Sequence, residues 1–185
     1  MSGKTVRICA LSFVLALAAV FWATPGSWNY YRFKTGNYDF AGETDAVTNT
    51  IRLFSGTLAG LYVSGGNPAG LNSFPAETMV RGRVIRDIGI LHQMNLVLAT
   101  DRDRSTVKQI TFVDPAYAVA IIDEAWFMQL QNYSTRRPVS NKKANIITVR
   151  YFLKKQWSKW IVMEYEVYGR GDPILPVPLE RVLAW

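Results

Sequence analysis

The chain has 185 residues, of which 49% are hydrophobic and 13% aromatic, and this composition excludes an intrinsically disordered tail. Cys9 is its one cysteine, so neither an internal disulfide nor a thiolate zinc site can form. The formal net charge of +7 suits an acidic partner, an anionic membrane surface or nucleic acid, although the Lys and Arg residues form only short clusters.

The first distinctive segment is the uncharged, mostly apolar run 8–24, which follows a short basic tail, 1–7. A signal peptide shares this arrangement, but it needs small residues at its cleavage site, and Phe21 stands where one of them belongs. We therefore expect an uncleaved transmembrane anchor, just long enough to cross a bilayer. Its expected lipid-facing residues are the large apolar ones: Phe13, Leu15, Leu17, Val20, Phe21 and Trp22.

The orientation of this anchor depends on the charges that flank it. Lys4 and Arg7 precede it and Arg32 and Lys34 follow it, which balances the count of basic side chains. The α-amino group of the short tail favours an N-terminus in the cytoplasm. We therefore expect a single-pass protein of the bacterial inner membrane, with its folded domain in the periplasm.

The segment 25–42 is predicted to be an irregular, aromatic-rich tether, because glycines interrupt it and no apolar periodicity is visible. Trp28, Tyr30 and Tyr31 follow the anchor where an interfacial belt of aromatic residues is expected. Such a segment is typical of a chain that lies on a membrane or on a partner. We predict that these three residues bind a partner.

A folded domain is predicted over 43–169, and it begins with a helix. From Glu43 or Thr44 onward, apolar residues recur every three or four positions until the glycines at 65–66 end the pattern. Within this helix, Gly56 and Gly60 form a GxxxG spacing. We interpret this spacing as close helix packing inside the fold, with dimerisation as the alternative.

A second helix is predicted from Pro75 to about Ala99, after a short connection, and a charged turn over 101–104 follows it. The composition then changes to segments rich in β-branched and aromatic residues, which indicate strands. These segments are Val107–Val113, Ala116–Gln131, Ala144–Leu153 and Lys159–Gly169.

Helices followed by strands predict an α+β fold, in which two or three helices pack on a curved antiparallel sheet of about four strands to form a cone-like domain. The tail 170–185 contains three prolines and is predicted to be an extended C-terminal arm. We include its last residue, Trp185, among the candidate partner-binding residues.

The segment Ala116–Gln131 is apolar on both faces of the predicted strand, which is typical of a sheet covered on both sides. We interpret the second face as a docking surface for a partner, with the tether and the C-terminal arm as alternative covers. Trp126 and Met128 are the candidate contact residues on this strand.

Two carboxylates, Asp123 and Glu124, interrupt that strand and point to opposite faces. A carboxylate that faces a cavity can act as a general base, and Asp123 with His92 is a conceivable acid–base pair. A lone histidine on a helix is more often a packing residue, and edge carboxylates more often pair with nearby Lys and Arg. We therefore predict that the protein is not an enzyme.

Recognisable sites for cofactors, metals and nucleic acid are missing from the sequence. One histidine and one cysteine cannot supply the usual metal ligands, and no phosphate-binding glycine motif or GxSxG motif occurs. Aromatic residues alternate with basic ones between Arg150 and Trp160, as in a base-stacking surface. A hairpin with a buried aromatic core and a lysine-rich turn explains the same pattern, so nucleic acid is not favoured as a partner.

The whole layout resembles the bitopic inner-membrane scaffold subunit of type IV secretion and conjugation systems. Besides the order of tail, anchor, tether, helices and bent sheet, Ile146–Val149 followed by the tryptophan-led Trp160–Tyr168 is similar to the end of that domain. The family often has a late Asn-Pro-x-Gly turn, whereas here Asn67–Gly70 stands between the helices and Asp172–Pro173 occupies the late position. The resemblance implies a nuclear-transport-factor-two-like (NTF2-like) periplasmic domain.

The sequence therefore predicts a non-enzymatic, single-span subunit of a multiprotein membrane complex, most specifically of a secretion or conjugation apparatus. Its expected partners are other subunits, the lipid bilayer and a second copy of the chain. One alternative is an accessory subunit of a bacterial energy-converting complex, photosynthetic or respiratory. Another is a small-molecule-binding or isomerase-like domain that uses the cone cavity.

Overall fold

The structure is a computed structural model, and it describes residues 25–169. The predicted anchor 8–24, with its lipid-facing residues, lies outside the described residues. The predicted arm 170–185, with Trp185, lies outside them as well. Among the residues that are described, no helix is both long enough and apolar enough to cross a membrane.

The backbone divides after Phe40 into two compact units. In the first, a helix, α1 (Pro25–Lys34), occupies most of the segment that the sequence predicted to be irregular. Proline is favoured at the first position of a helix, where its missing N–H is not needed. The ring of Phe33, in the last turn of α1, packs with the rings of Tyr38 and Phe40, and the centroid distances among the three are 5.1–5.6 Å. The sequence signal was weak because α1 has no continuous apolar stripe.

The second unit contains all but the first residue of the long helix α2 (Phe40–Ser64), which buries one apolar face. Gly65 and Gly66 end it with φ of +76° and +92°, a conformation that glycine adopts without strain. A short helix, α3 (Pro68–Ser73), follows, and the side chain of Asn67 caps it by accepting from the Ala69 N–H at 2.9 Å. The sequence predicted only a connection here, because one and a half turns show no periodicity.

The helix α4 (Thr78–Gln93) ends six residues before the predicted boundary at Ala99. Asn95, with φ of +54°, turns the chain directly into the strand β1 (Leu96–Asp114). The predicted charged turn over 101–104 is therefore wrong, since these residues lie in the middle of β1. The prediction failed because apolar residues at the start of a strand continued the helical spacing by chance.

The sheet has four antiparallel strands in chain order, and this confirms the predicted α+β class. After β1 come β2 (Tyr117–Asn132), β3 (Lys143–Gln156) and β4 (Lys159–Tyr168), all close to their predicted bounds. Three register shifts between β1 and β2 interrupt the regular pairing. Such bulges increase the local twist and bend the strand that contains them.

The main core lies between the helices and one face of the sheet. Its centre is Phe54 of α2, whose ring stacks on Phe74 at 4.7 Å and meets Tyr151 of β3 edge-on at 5.7 Å. The segment 75–77 extends this layer and pairs with β4: the Glu77 and Val162 N–H groups donate to carbonyls across this contact at 2.9 Å. The rest of the cluster comes from α2, α4 and the inner faces of β2, β3 and β4.

The GxxxG spacing of α2 does not pack as expected. Gly56 and Gly60 are exposed, and a Cβ added at either would meet nothing within 4 Å. The prediction of close packing inside the fold is therefore wrong, because the buried stripe of α2 lies on another side of the helix.

Candidate functional site

Burial along β2 alternates from Tyr117 to Trp126 and decides which of these side chains reach the interior. The buried positions include Ala120, Ile122, Glu124 and Trp126, whereas Asp123 lies on the other face. Between α2 and this buried face is a cavity of about 130 Å³, here called the inner pocket. Apolar and aromatic side chains from α2 and all four strands line most of it, among them Phe54, Leu58, Leu98, Met128, Ile147 and Val167.

Glu124 is the one carboxylate in the wall of the inner pocket, and only 1% of it is exposed. Its Oε1 accepts hydrogen bonds from the Tyr151 hydroxyl at 2.9 Å and the Ser55 hydroxyl at 3.1 Å. Its Oε2 accepts from the Trp126 indole N–H at 2.8 Å. The Arg102 guanidinium lies 3.7 Å from Oε1 and supplies the opposite charge. Both carboxylate oxygens are therefore engaged by partners that the fold itself provides.

Tyr151 is held in its neutral form by the same surroundings. Burial, and then the negative charge of Glu124, raise its pKa well above the ordinary value of 10.0. The phenol therefore keeps its proton at neutral pH and can donate to the carboxylate. This arrangement satisfies a buried charge with hydrogen bonds, as a low-dielectric interior requires.

Two more tyrosines form the polar rim of the inner pocket. Burial raises the pKa of Tyr62 well above its ordinary value, and its hydroxyl lies 3.5 Å from the Asp87 carboxylate. Burial also raises the pKa of Tyr165, whose ring lies 5.7 Å from the Arg83 guanidinium. Both phenols are therefore neutral hydrogen-bonding groups at physiological pH.

The Asp123–His92 pair does not assemble. Asp123 accepts a hydrogen bond from Thr148 at 2.6 Å and pairs with Lys108 at 2.9 Å, on the face away from the inner pocket. The Thr148 hydrogen bond and then Lys108 lower the pKa of Asp123, which makes it a weaker base. The His92 ring instead packs on Tyr133 at 4.3 Å.

The predicted partner-binding residues divide into two groups. Trp126 is only 8% exposed and Met128 is half-buried, and both line the inner pocket, so they do not offer an outward docking surface. The correction follows from sheet orientation, since the pleat sends Trp126 toward the helices. On α1, by contrast, Trp28, Tyr30 and Tyr31 are 43%, 49% and 45% exposed.

The sequence did not identify Ser55, Tyr151 or Arg102 as partners of Glu124. One signal was available: a carboxylate on a strand with two apolar faces needs buried donors. The donors themselves come from α2, β1 and β3, and no spacing along the chain brings them together. Among residues 25–169, no cluster of His, Cys, Asp and Glu could hold a metal ion.

Comparison with known proteins gives similarity of fold only. No family model and no curated protein matches the sequence. The intermembrane space region of the chloroplast protein ARC6 aligns with a TM-score of 0.55 and 15% identity, over 67% of this chain and 96% of that one. An NTF2-like protein of unknown function from Prochlorococcus marinus aligns over 48% of this chain and 63% of that one, with 15% identity. Its TM-score of 0.33 is too low to indicate a shared fold. The chain thus shares a fold with the ARC6 region, and a shared fold does not establish a shared activity.

Proposed function

We propose that the chain is a non-enzymatic, single-span subunit of a multiprotein membrane complex, with a scaffold role and an NTF2-like folded unit. A secretion or conjugation apparatus in a bacterial inner membrane is the most specific form of the proposal. The observation that carries it is the exposed aromatic surface of α1, formed by Trp28, Tyr30 and Tyr31, which follows the predicted anchor 8–24 directly.

The α1 aromatic surface has the chemistry of a contact region. Tryptophan and tyrosine combine a large apolar area with a polar group, and they are enriched at membrane interfaces and at the centres of protein interfaces. Trp28 and Tyr31 stack at 5.8 Å, and the Lys34 ammonium lies 5.4 Å from the Tyr30 ring. The surface is therefore aromatic with a basic end, which suits a partner subunit close to anionic lipid.

The Glu124 network supports a structural role for the buried carboxylate. A general base needs an oxygen that can accept a proton from a substrate, and each oxygen of Glu124 already accepts from the fold. Asp123, the other candidate, has a lowered pKa and lies on the opposite face. This arrangement favours a binding or scaffold role over acid–base catalysis.

The test replaces the α1 aromatic surface in the full chain with Trp28→Ala, Tyr30→Ala and Tyr31→Ala together. We expect co-purification of partner subunits in mild detergent to fall by about tenfold or more, because aromatic residues dominate interface energies. The matched control is Trp157→Ala, since Trp157 is 93% exposed in the turn between β3 and β4. Undiminished recovery of the partners with the triple variant would contradict a docking role for this surface.

The same purification separates the proposed complexes. ATPase and channel subunits among the recovered partners support the secretion apparatus, whereas subunits that carry pigments or redox centres support the energy-converting alternative. Protease protection of the folded unit in spheroplasts and in inverted vesicles tests the proposed periplasmic location. Complete release of the full chain by alkaline carbonate would contradict the single span.

A further inference from the structure

We propose that the inner pocket is a binding site for a small, uncharged, ring-sized apolar molecule. This site is separate from the α1 aromatic surface and does not depend on it. Three properties of the described residues carry the proposal: the size of the pocket, the charge of its wall and the cleft that adjoins it.

The size limits the ligand. The inner pocket measures about 130 Å³. An engineered apolar cavity of roughly 150 Å³ accepts benzene, whereas sites for drug-sized molecules begin at about 300 Å³. The inner pocket therefore matches one or two fused rings, or a short aliphatic group, and is too small for a nucleotide or flavin cofactor.

The wall determines the charge of the ligand. Most of the lining is apolar, and the uncharged polar groups include the Thr100 hydroxyl and the neutral phenols of Tyr62 and Tyr165. The one charged group in the wall is the Glu124 carboxylate, and no Lys, Arg or His is among the described lining residues, so an anionic ligand would lose its hydration without gaining a counter-charge. Glu124 also offers no free oxygen to a cation, because its hydrogen-bonding partners and Arg102 already engage it. A neutral ligand avoids the desolvation cost that a charged ligand would incur on entry.

A second cleft adjoins the inner pocket. Leu98 and Met128 line both the inner pocket and this more polar cleft of about 380 Å³ at the ends of β2 and β3. Gln129 and Ser140 lie along this second cleft. A polar substituent on the bound ring is therefore expected on the side of Leu98 and Met128, where the neighbouring wall is the more polar one.

The experiment uses the full chain in lipid nanodiscs with 13C-labelled methionine methyl groups, and indole as the probe. We expect a saturable ring-current shift of the Met128 methyl signal, assigned by Met128→Leu, with half-saturation at about 1 mM or below, as expected for so small a ligand. The methyl group of Met79, which is 85% exposed, is the internal reference and should not shift. Indole-3-carboxylate should bind at least tenfold more weakly, because the apolar wall offers its carboxylate no counter-charge.

Two variants locate the site. Ala59→Phe fills the inner pocket from α2 and should abolish the Met128 shift, whereas Ala46→Phe changes an exposed alanine on the same helix and should leave it unchanged. If Ala59→Phe does not fold, as judged by its methyl spectrum, Leu98→Phe fills the pocket from β1 instead. No shift at Met128, a shift that survives the filled pocket, or equal binding of the carboxylate would each overturn the proposal. None of these outcomes bears on the α1 aromatic surface.

Discussion

Adjacent carboxylates on β2 have opposite physical roles. Glu124 is buried among Ser55, Tyr151 and Trp126, whereas Asp123 is half-exposed and pairs with Lys108. A buried ion pair contributes little net stability, but removal of one partner is costly because the other charge stays buried and uncompensated. An exposed pair is worth far less. Position on the pleat therefore decides which carboxylate the fold depends on.

Glu124→Ala should lower the free energy of unfolding by about 3 kcal/mol or more, since Arg102 loses its counter-charge and three donors lose their acceptor. Urea unfolding of the full chain, followed by tryptophan fluorescence, measures the loss. The neighbouring control, Asp123→Ala, should cost less than about 1 kcal/mol. Equal costs for the two variants would contradict the buried network.

The contribution of Asp123 to the free energy of unfolding is predicted to depend on pH. The pKa of Asp123 is lower in the folded protein than its ordinary value of 3.8, because Thr148 and Lys108 stabilise the ionised form. Its stabilising effect is therefore fully present above about pH 5 and is lost as the pH falls through the folded pKa. The stability difference between wild type and Asp123→Asn should shrink accordingly on acidification.

The sequence predicted that the two carboxylates lie on opposite faces, but not which face is inside. The alternation of a strand gives relative orientation from local geometry alone. The absolute orientation depends on which face the helices cover, and β2 offered apolar residues on both. The buried donors, Ser55 on α2 and Tyr151 on β3, are contributed by other elements and could not be located from the sequence.

At the scale of the element, α2 ends at two glycines with positive φ, and Gly65 is the more tightly surrounded of the two. Gly65 has φ of +76°, and a Cβ added there would collide with the His92 ring, which packs on Tyr133. In the middle of the same helix, Gly56 has helical geometry and open space around it. One glycine is therefore required, and the other only weakens the helix.

Gly65→Ala should destabilise the protein by about 2 kcal/mol or more, from left-handed strain and the collision with His92. Gly56→Ala should stabilise it by about 0.5–1 kcal/mol, because alanine is the better helix former. Thermal unfolding of both variants gives the comparison. A loss of stability at Gly56 would contradict the open surroundings of that glycine.

The elements whose own residues carry a clear signal were the easiest to predict. The strands β2, β3 and β4 are rich in β-branched and aromatic residues, and their predicted bounds lie within three residues of those observed. The start of β1 was missed because its apolar residues continued the helical spacing of α4, and the helix α1 was missed because its aromatic residues form no continuous apolar stripe. In β1 the pairing with β2 overrides the local preference of Asp101–Arg104 for a turn.

At the scale of the whole folded unit, Glu43 joins the start of α2 to the hairpin of β3 and β4. Its carboxylate accepts from the Trp160 indole N–H at 2.8 Å and pairs with Lys155. These contacts connect residues more than a hundred positions apart in the chain. The first turn of α2 therefore depends on β3 and β4, the last two elements in the described part of the chain.

Glu43→Ala should lower the free energy of unfolding by about 1–3 kcal/mol, because the half-buried Lys155 and the Trp160 N–H lose their acceptor. Asp45→Ala, an exposed carboxylate one half-turn along, is the matched control and should have little effect. Urea unfolding measures both, and the indole N–H resonance of Trp160 should move only in Glu43→Ala. An unmoved resonance would contradict the contact.

The two outer strands of the sheet have consequences for solubility. A long strand with unpaired backbone groups invites other chains to add to it, which leads to aggregation and fibrils. The segment 75–77 covers part of β4, and the centre of β1 carries the exposed charges of Asp101, Asp103 and Arg104. Within residues 25–169, β1 is an outer strand, and the same charges that obscured it in the sequence make its edge a poor template for the addition of another strand.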